Sequence, residues 1–153
     1  MRVDWDRGNV ILVDGQEVAR ADRSWLRERA EVQVGTDLWL FRAEGIWGRP
    51  PLVAELDGVA RMGARASGFL TTTWAVDAGA GSLEVAQAGM FSSRLLVVRG
   101  GARIGEIGRS GFFTNRPQMD LTEAVDVPVA CFLLWLAFVE FNRRQSQAAA
   151  AST

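Results

Sequence analysis

The residues of this chain that could do chemistry are few, and most of them are arginines. Between positions 94 and 116 stand Arg94, Arg99, Arg103, Arg109 and Arg116 against a single acid, Glu106. Positions 117 to 142 reverse the sign, with Asp120, Glu123, Asp126 and Glu140 and no basic side chain. Such a basic run suits an anionic ligand or an anionic membrane surface, where each Arg contributes about 1 kcal/mol. Arg99, Arg103, Arg109 and Arg116 are therefore the candidate patch. The competing expectation is a solvated strand face whose guanidinium groups pair with the acids beside them.

Other catalytic material is scarce. The chain has no His, no Lys and no Tyr, so all 17 of its basic residues are Arg. That excludes a Ser-His-Asp triad, a lysine Schiff base, a His-liganded metal and a P-loop lysine. The one cysteine, Cys131, sits among apolar residues. A thiol in such surroundings has a raised pKa and is inert. Carboxylates are the only acid–base groups left, which keeps a two-carboxylate hydrolase chemically open as a minor alternative. No catalytic residue, cofactor or metal is expected. Gly101, Gly105, Gly108 and Gly111 fit neither phosphate-loop spacing and read as turns and bulges of a sheet. The six tryptophans (Trp5, Trp25, Trp39, Trp47, Trp74 and Trp135) read as core filling. Stacking on nucleic acid would also need a basic groove, and the net charge is −1.

The elements that must position these residues change character once along the chain. Up to about residue 121 short β-rich runs alternate with turn signals. Val10–Val13 is followed by Asp14-Gly15, Leu52–Leu56 by Asp57-Gly58, and Leu95–Val98 by Gly100-Gly101. These dipeptides supply the positive φ angles of tight hairpins. Leu70, Thr72, Trp74 and Val76 alternate with Phe69, Thr71, Thr73 and Ala75, predicting a strand of period two. Val32/Val34, Leu38–Phe41 and Leu83/Val85 add others. Some nine to twelve antiparallel strands follow, in a barrel or sandwich.

Val127 to Val139 then run thirteen residues without a charge. Asp126 can cap a helix there, Pro128 is tolerated in its first turn, and Arg143 and Arg144 suit its far end. No polar stripe is left, so this helix must be surrounded on every side. A bilayer span needs about twenty apolar residues to cross ~30 Å. Thirteen cover only about 20 Å, and extending to Phe141 takes in Glu140. The better expectation is an antiparallel sheet curled into a closed barrel around the helix; the alternative is a tail-anchored protein spanning with residues 127–141. One domain is expected over residues 1–144, its last helix at about 126–144, with a disordered tail at 145–153.

The last fifty residues resemble the end of a Tubby C-terminal-like domain, the group that includes phospholipid scramblases and LURP-one-related proteins. The resemblance lies in the strand Leu95-Leu-Val-Val-Arg99, the turn into Arg103-Ile-Gly-Glu-Ile-Gly108, the extended Asn115–Leu121, and the hydrophobic Val127–Phe141. It implies a roughly twelve-stranded antiparallel barrel threaded by a C-terminal helix, and binding of anionic lipid headgroups. The acidic calcium-binding stretch of scramblases has no counterpart, because residues 108–120 hold one acid, Asp120. The resulting expectation is a non-enzymatic binding or scaffold protein whose partners are anionic lipid headgroups or another protein, and not nucleic acid. Lone-cysteine usage and an N-terminus without an apolar run point to the cytoplasm, at the inner membrane surface where it binds lipid. The exclusive use of Arg over Lys reads as GC-rich bacterial coding.

Overall fold

A computed structural model describes residues 1–24, 28–111 and 114–152. Twelve strands form one closed antiparallel barrel, each paired with its neighbour in sequence and the first closing on the last. They are β1 (Arg2–Asp6), β2 (Val10–Val13), β3 (Gln16–Ser24), β4 (Arg29–Val34), β5 (Asp37–Ala43) and β6 (Leu52–Leu56). The second half comprises β7 (Val59–Ser67), β8 (Thr73–Asp77), β9 (Ser82–Gln87), β10 (Leu95–Arg99), β11 (Ala102–Arg109) and β12 (Pro117–Leu121). Closure is made by Arg2, Val3 and Asp4 opposite Asp120, Met119 and Gln118. The barrel has no open edge to manage.

The α-helix α1 (Val127–Ala151) runs through the barrel. An eight-stranded barrel is just filled by its own side chains. Twelve strands leave a wider bore, and a helix about 10–12 Å across fills it. All thirteen residues from Val129 to Phe141 are buried, as the absence of a polar stripe requires. The wall meets them with alternate residues: Val3 and Trp5, Ala30 and Val32, Trp74 and Val76, Leu83 and Val85 point inward. Phe41 stands edge-on to Phe132, with ring centroids 5.3 Å apart, and packs against Trp135 at 5.7 Å.

The hairpin signals hold. Asp14-Gly15, Asp57-Gly58 and Gly100-Gly101 all have positive φ at both positions. The period-two strand is shorter than its alternation predicts: only Thr73–Asp77 is extended, because Gly68 at φ +100 turns the chain and leaves residues 69–72 as a loop. The helix is longer than expected, reaching Ala151 through the Ala-rich segment, where intrinsic helix propensity is highest. Arg143 and Arg144 therefore lie two turns before its end rather than at it. Asp126 occupies the cap position without making a capping hydrogen bond.

The glycines of β11 have separable jobs. A Cβ on Gly105 would run into the carbonyl oxygen of Asp120 and the side chain of Leu121, whereas one on Gly108 would meet nothing within 4 Å. Gly105 thus permits the close approach of β11 and β12. Gly105→Ala is expected to cost about 1–3 kcal/mol, the usual range for overpacking, and Gly108→Ala to be nearly silent. Urea unfolding of the two variants checks this; equal stabilities would remove the steric role.

Candidate functional site

Because every strand reverses the chain, the connections fall alternately at the two ends of the barrel, and the two ends are built differently. One end holds the tight turns 14–15, 35–36, 57–58, 78–81 and 100–101 and the segment 122–126 that leads into the helix. The other holds the longer connections 44–51, 68–72, 88–94 and 110–116, and it is where α1 emerges. We call this second end the rim.

Among the described residues the rim carries most of the exposed large apolar side chains. Trp47, Phe69 and Phe91 are 87%, 95% and 94% exposed, and Ile46, Leu70 and Met90 are each more than half exposed beside them. They form adjacent pairs on three successive rim loops: Ile46-Trp47, Phe69-Leu70 and Met90-Phe91. Trp47 therefore departs from the core-filling expectation, which Trp5, Trp39, Trp74 and Trp135 meet. Trp25, the remaining tryptophan, lies outside the described residues.

Charge also divides between the ends. Described rim loops hold Arg7, Arg49, Arg94 and Arg116 against Glu28 and Glu44. The tight-turn end holds Asp14, Asp57, Glu123 and Asp126 and no basic side chain in its connections.

This parity splits the candidate arginine patch. Arg99 and Arg103 flank the β10–β11 turn at the tight-turn end, where Arg99 donates to Glu123 at 2.8 Å and Arg103 to Glu106 at 2.5 Å. Arg109 and Arg116 lie at the rim. Arg109 sits over the ring of Phe141, 5.2 Å from its centroid, and Arg116 reaches Asp6 at 3.4 Å. The four do not share a face.

The arginines that do converge are on α1 as it leaves the barrel. Arg143 donates through Nε to Glu28 at 2.9 Å and lies over Trp74, 5.5 Å from the ring centroid. Arg144 donates through Nε to Glu140 at 2.8 Å and through Nη1 to the Ser92 carbonyl at 3.0 Å. Glu140 is itself buried and accepts from Trp74 Nε1 at 3.2 Å. Asn115 ties the opposite side of the helix through Asn142 at 2.8 Å and Gln145 at 2.6 Å. These contacts lock the helix in the mouth.

They also leave something over. Arg143 Nη1 and Arg144 Nη2 are buried without a hydrogen-bond partner among the described residues. A buried donor left unsatisfied costs about 1–3 kcal/mol. Both arginines line a cleft of about 1120 Å³ between the emerging helix and the rim loops 44–51, 68–72 and 88–94. Arg49 borders it too, donating to the Gly68 carbonyl at 3.0 Å and having no acidic partner among the described residues.

The chain matches no family model, no curated protein and no solved structure. Its site must be read from its own residues. Among the described residues no three carboxylates or thiols are grouped to hold a metal ion. No described helix is long and apolar enough to cross a membrane, and of residues 127–141, the alternative span, Val129 to Phe141 are buried inside the barrel. The sequence signal for the rim was its adjacent apolar pairs, whose common location depends on strand parity and not on spacing.

Proposed function

We propose that this chain is a non-enzymatic binding protein that docks through its rim on an anionic membrane surface. The observation that carries the reading is the set of apolar pairs held out at the tips of Ile46-Trp47, Phe69-Leu70 and Met90-Phe91. Exposed large apolar groups concentrated in one place mark interaction sites. Here they stand on separate loops around an open mouth, an arrangement suited to a fluid surface that admits each anchor on its own. Rim arginines add attraction to anionic lipid, while the acidic far end points away. Beyond Arg144 the projecting helix carries no charged side chain. The twelve-stranded barrel and enclosed helix support the Tubby-like resemblance, and the lack of His, Lys and Tyr supports a binding role. Anionic lipid of the kind required lines the cytoplasmic leaflet.

The test is vesicle co-sedimentation with neutral and anionic lipids at two salt concentrations. The wild type should prefer anionic vesicles and lose part of its binding at high salt, since screening sets in at ~8 Å at physiological ionic strength. Trp47→Ser/Phe69→Ser/Phe91→Ser should abolish binding at both salts with an unchanged melting temperature, because these side chains support nothing in the fold. Arg99→Gln/Arg103→Gln should bind as wild type. A tip variant that still binds, or no anionic preference, overturns the reading.

A further inference from the structure

We infer that the rim cleft is a headgroup site for a phosphate ester carried on an apolar chain. Its lipid source rests on the docking reading above; its chemistry rests on the cleft. Glu28 and Glu140 hold the Nε sides of Arg143 and Arg144, fixing both guanidinium groups where the helix leaves the barrel. What is left unpaired on each is one terminal nitrogen, Arg143 Nη1 and Arg144 Nη2, buried and with no acceptor among the described residues. Two planar guanidinium groups whose orientation is already set are suited to the several oxygens of a phosphate. Arg49 adds a third guanidinium at the edge, with Nη1 engaged only by a neutral carbonyl.

The order of chemistry along the cleft matches a lipid held at a membrane. Arg143 and Arg144 lie at the level where the helix exits, and Ile46, Leu70 and Met90 line the loops around them. A headgroup phosphate at the guanidinium level leaves its chain running out between those apolar side chains toward the bilayer in which the tips are seated. At about 1120 Å³ the cleft is far larger than one phosphate, with room for the glycerol and the first methylenes. A carboxylate offers fewer oxygens, and a zwitterionic headgroup would set its cation among the arginines, so the phosphate monoester is the preferred group.

The same phosphate chemistry could come from a free anion, and the experiment separates the sources. The full chain is titrated by calorimetry with dihexanoyl phosphatidic acid below its micellar concentration, dihexanoyl phosphatidylcholine, glycerol phosphate and inorganic phosphate. The phosphatidic acid should bind at least about tenfold tighter than the other three, the worth of one charged hydrogen bond or a few buried methylenes. Arg144→Gln should lose about tenfold through the lost donor, as should Arg49→Gln, which leaves the helix contacts intact and serves if the first variant unfolds. A Trp47→Ser/Phe91→Ser variant, which removes two tips that do not line the cleft, should be weakened on vesicles and bind the soluble lipid as wild type. Equal binding of the phosphatidic acid and phosphatidylcholine overturns the site, as does equal binding of free phosphate or wild-type affinity in both arginine variants. Vesicle binding without soluble-lipid binding defeats the cleft alone. Soluble-lipid binding without vesicle binding defeats the docking reading and leaves the cleft standing.

Discussion

A chain ending at Glu123 is expected not to fold. It retains all twelve strands and every ladder of the barrel, so on hydrogen bonding alone it should survive. The loss is in the bore. Phe132, Leu133, Leu134, Trp135, Leu136 and Phe141 leave with the helix, all of them at most 1% exposed in the whole protein. Each such side chain is worth about 1.5–3 kcal/mol when fully buried, against a total domain stability of about 5–15 kcal/mol. The inward wall residues Trp5, Phe41 and Trp74 would face water or an empty channel too wide for them to fill. Circular dichroism and thermal melting of the 1–123 fragment check this. A soluble fragment with a cooperative transition would show that the wall closes on itself and the helix is an accessory. Leu134→Asp makes the same point in the intact chain, because it buries an unpaired carboxylate at a cost of several kcal/mol. Gln147→Asp, on the exposed part of the same helix, should melt as wild type.

How much of this could be read from the sequence differs between core and rim for a physical reason. Thirteen uncharged residues with no polar stripe demand an enclosure, and the Asp-Gly and Gly-Gly turns demand hairpins. Together they favour a barrel around a helix over a bilayer span, which thirteen residues are too few to make. Gln145 to Ala151 misled because small residues outside a core read as a loose tail, although Ala is also the strongest helix former and the segment grows from a helix already fixed. At the rim, residue type pointed the wrong way. Phe69 and Leu70 continue the alternation of Trp74 and Val76 and look like core, and only the turn at Gly68 takes them out of the sheet. Arg99, Arg103, Arg109 and Arg116 are close in sequence, yet β11 carries the last two to the opposite end from the first two. Whether two loops share an end depends on counting every strand between them, and β1, β3 and the Arg- and Ala-rich β7 lack the β-branched signature that would have made the count secure.

Alkaline pH should destabilise the protein through one atom. Burial pushes the Cys131 thiol from its ordinary value of 9.0 up to about 12. In the unfolded chain the thiol ionises near its ordinary value, while in the fold it keeps its proton until about pH 12. Between those limits the unfolded state binds fewer protons than the native one, so stability falls as pH rises. The slope is about 1.4 kcal/mol per pH unit, or roughly 4 kcal/mol across the whole interval. That is a large part of ordinary domain stability. Most proteins hide such an effect under tyrosines and lysines titrating over the same range. This chain has neither, and its arginines stay charged throughout, so Cys131 is the one side chain left to move. Urea unfolding measured from about pH 8.5 to 11.5 should show the decline in the wild type. Cys131→Ala should start lower, by about 1 kcal/mol for a small cavity, and then stay level. Parallel declines in the two proteins would mean that the thiol is not responsible, and a level wild type would mean that position 131 is open to water and the barrel is not closed around its helix.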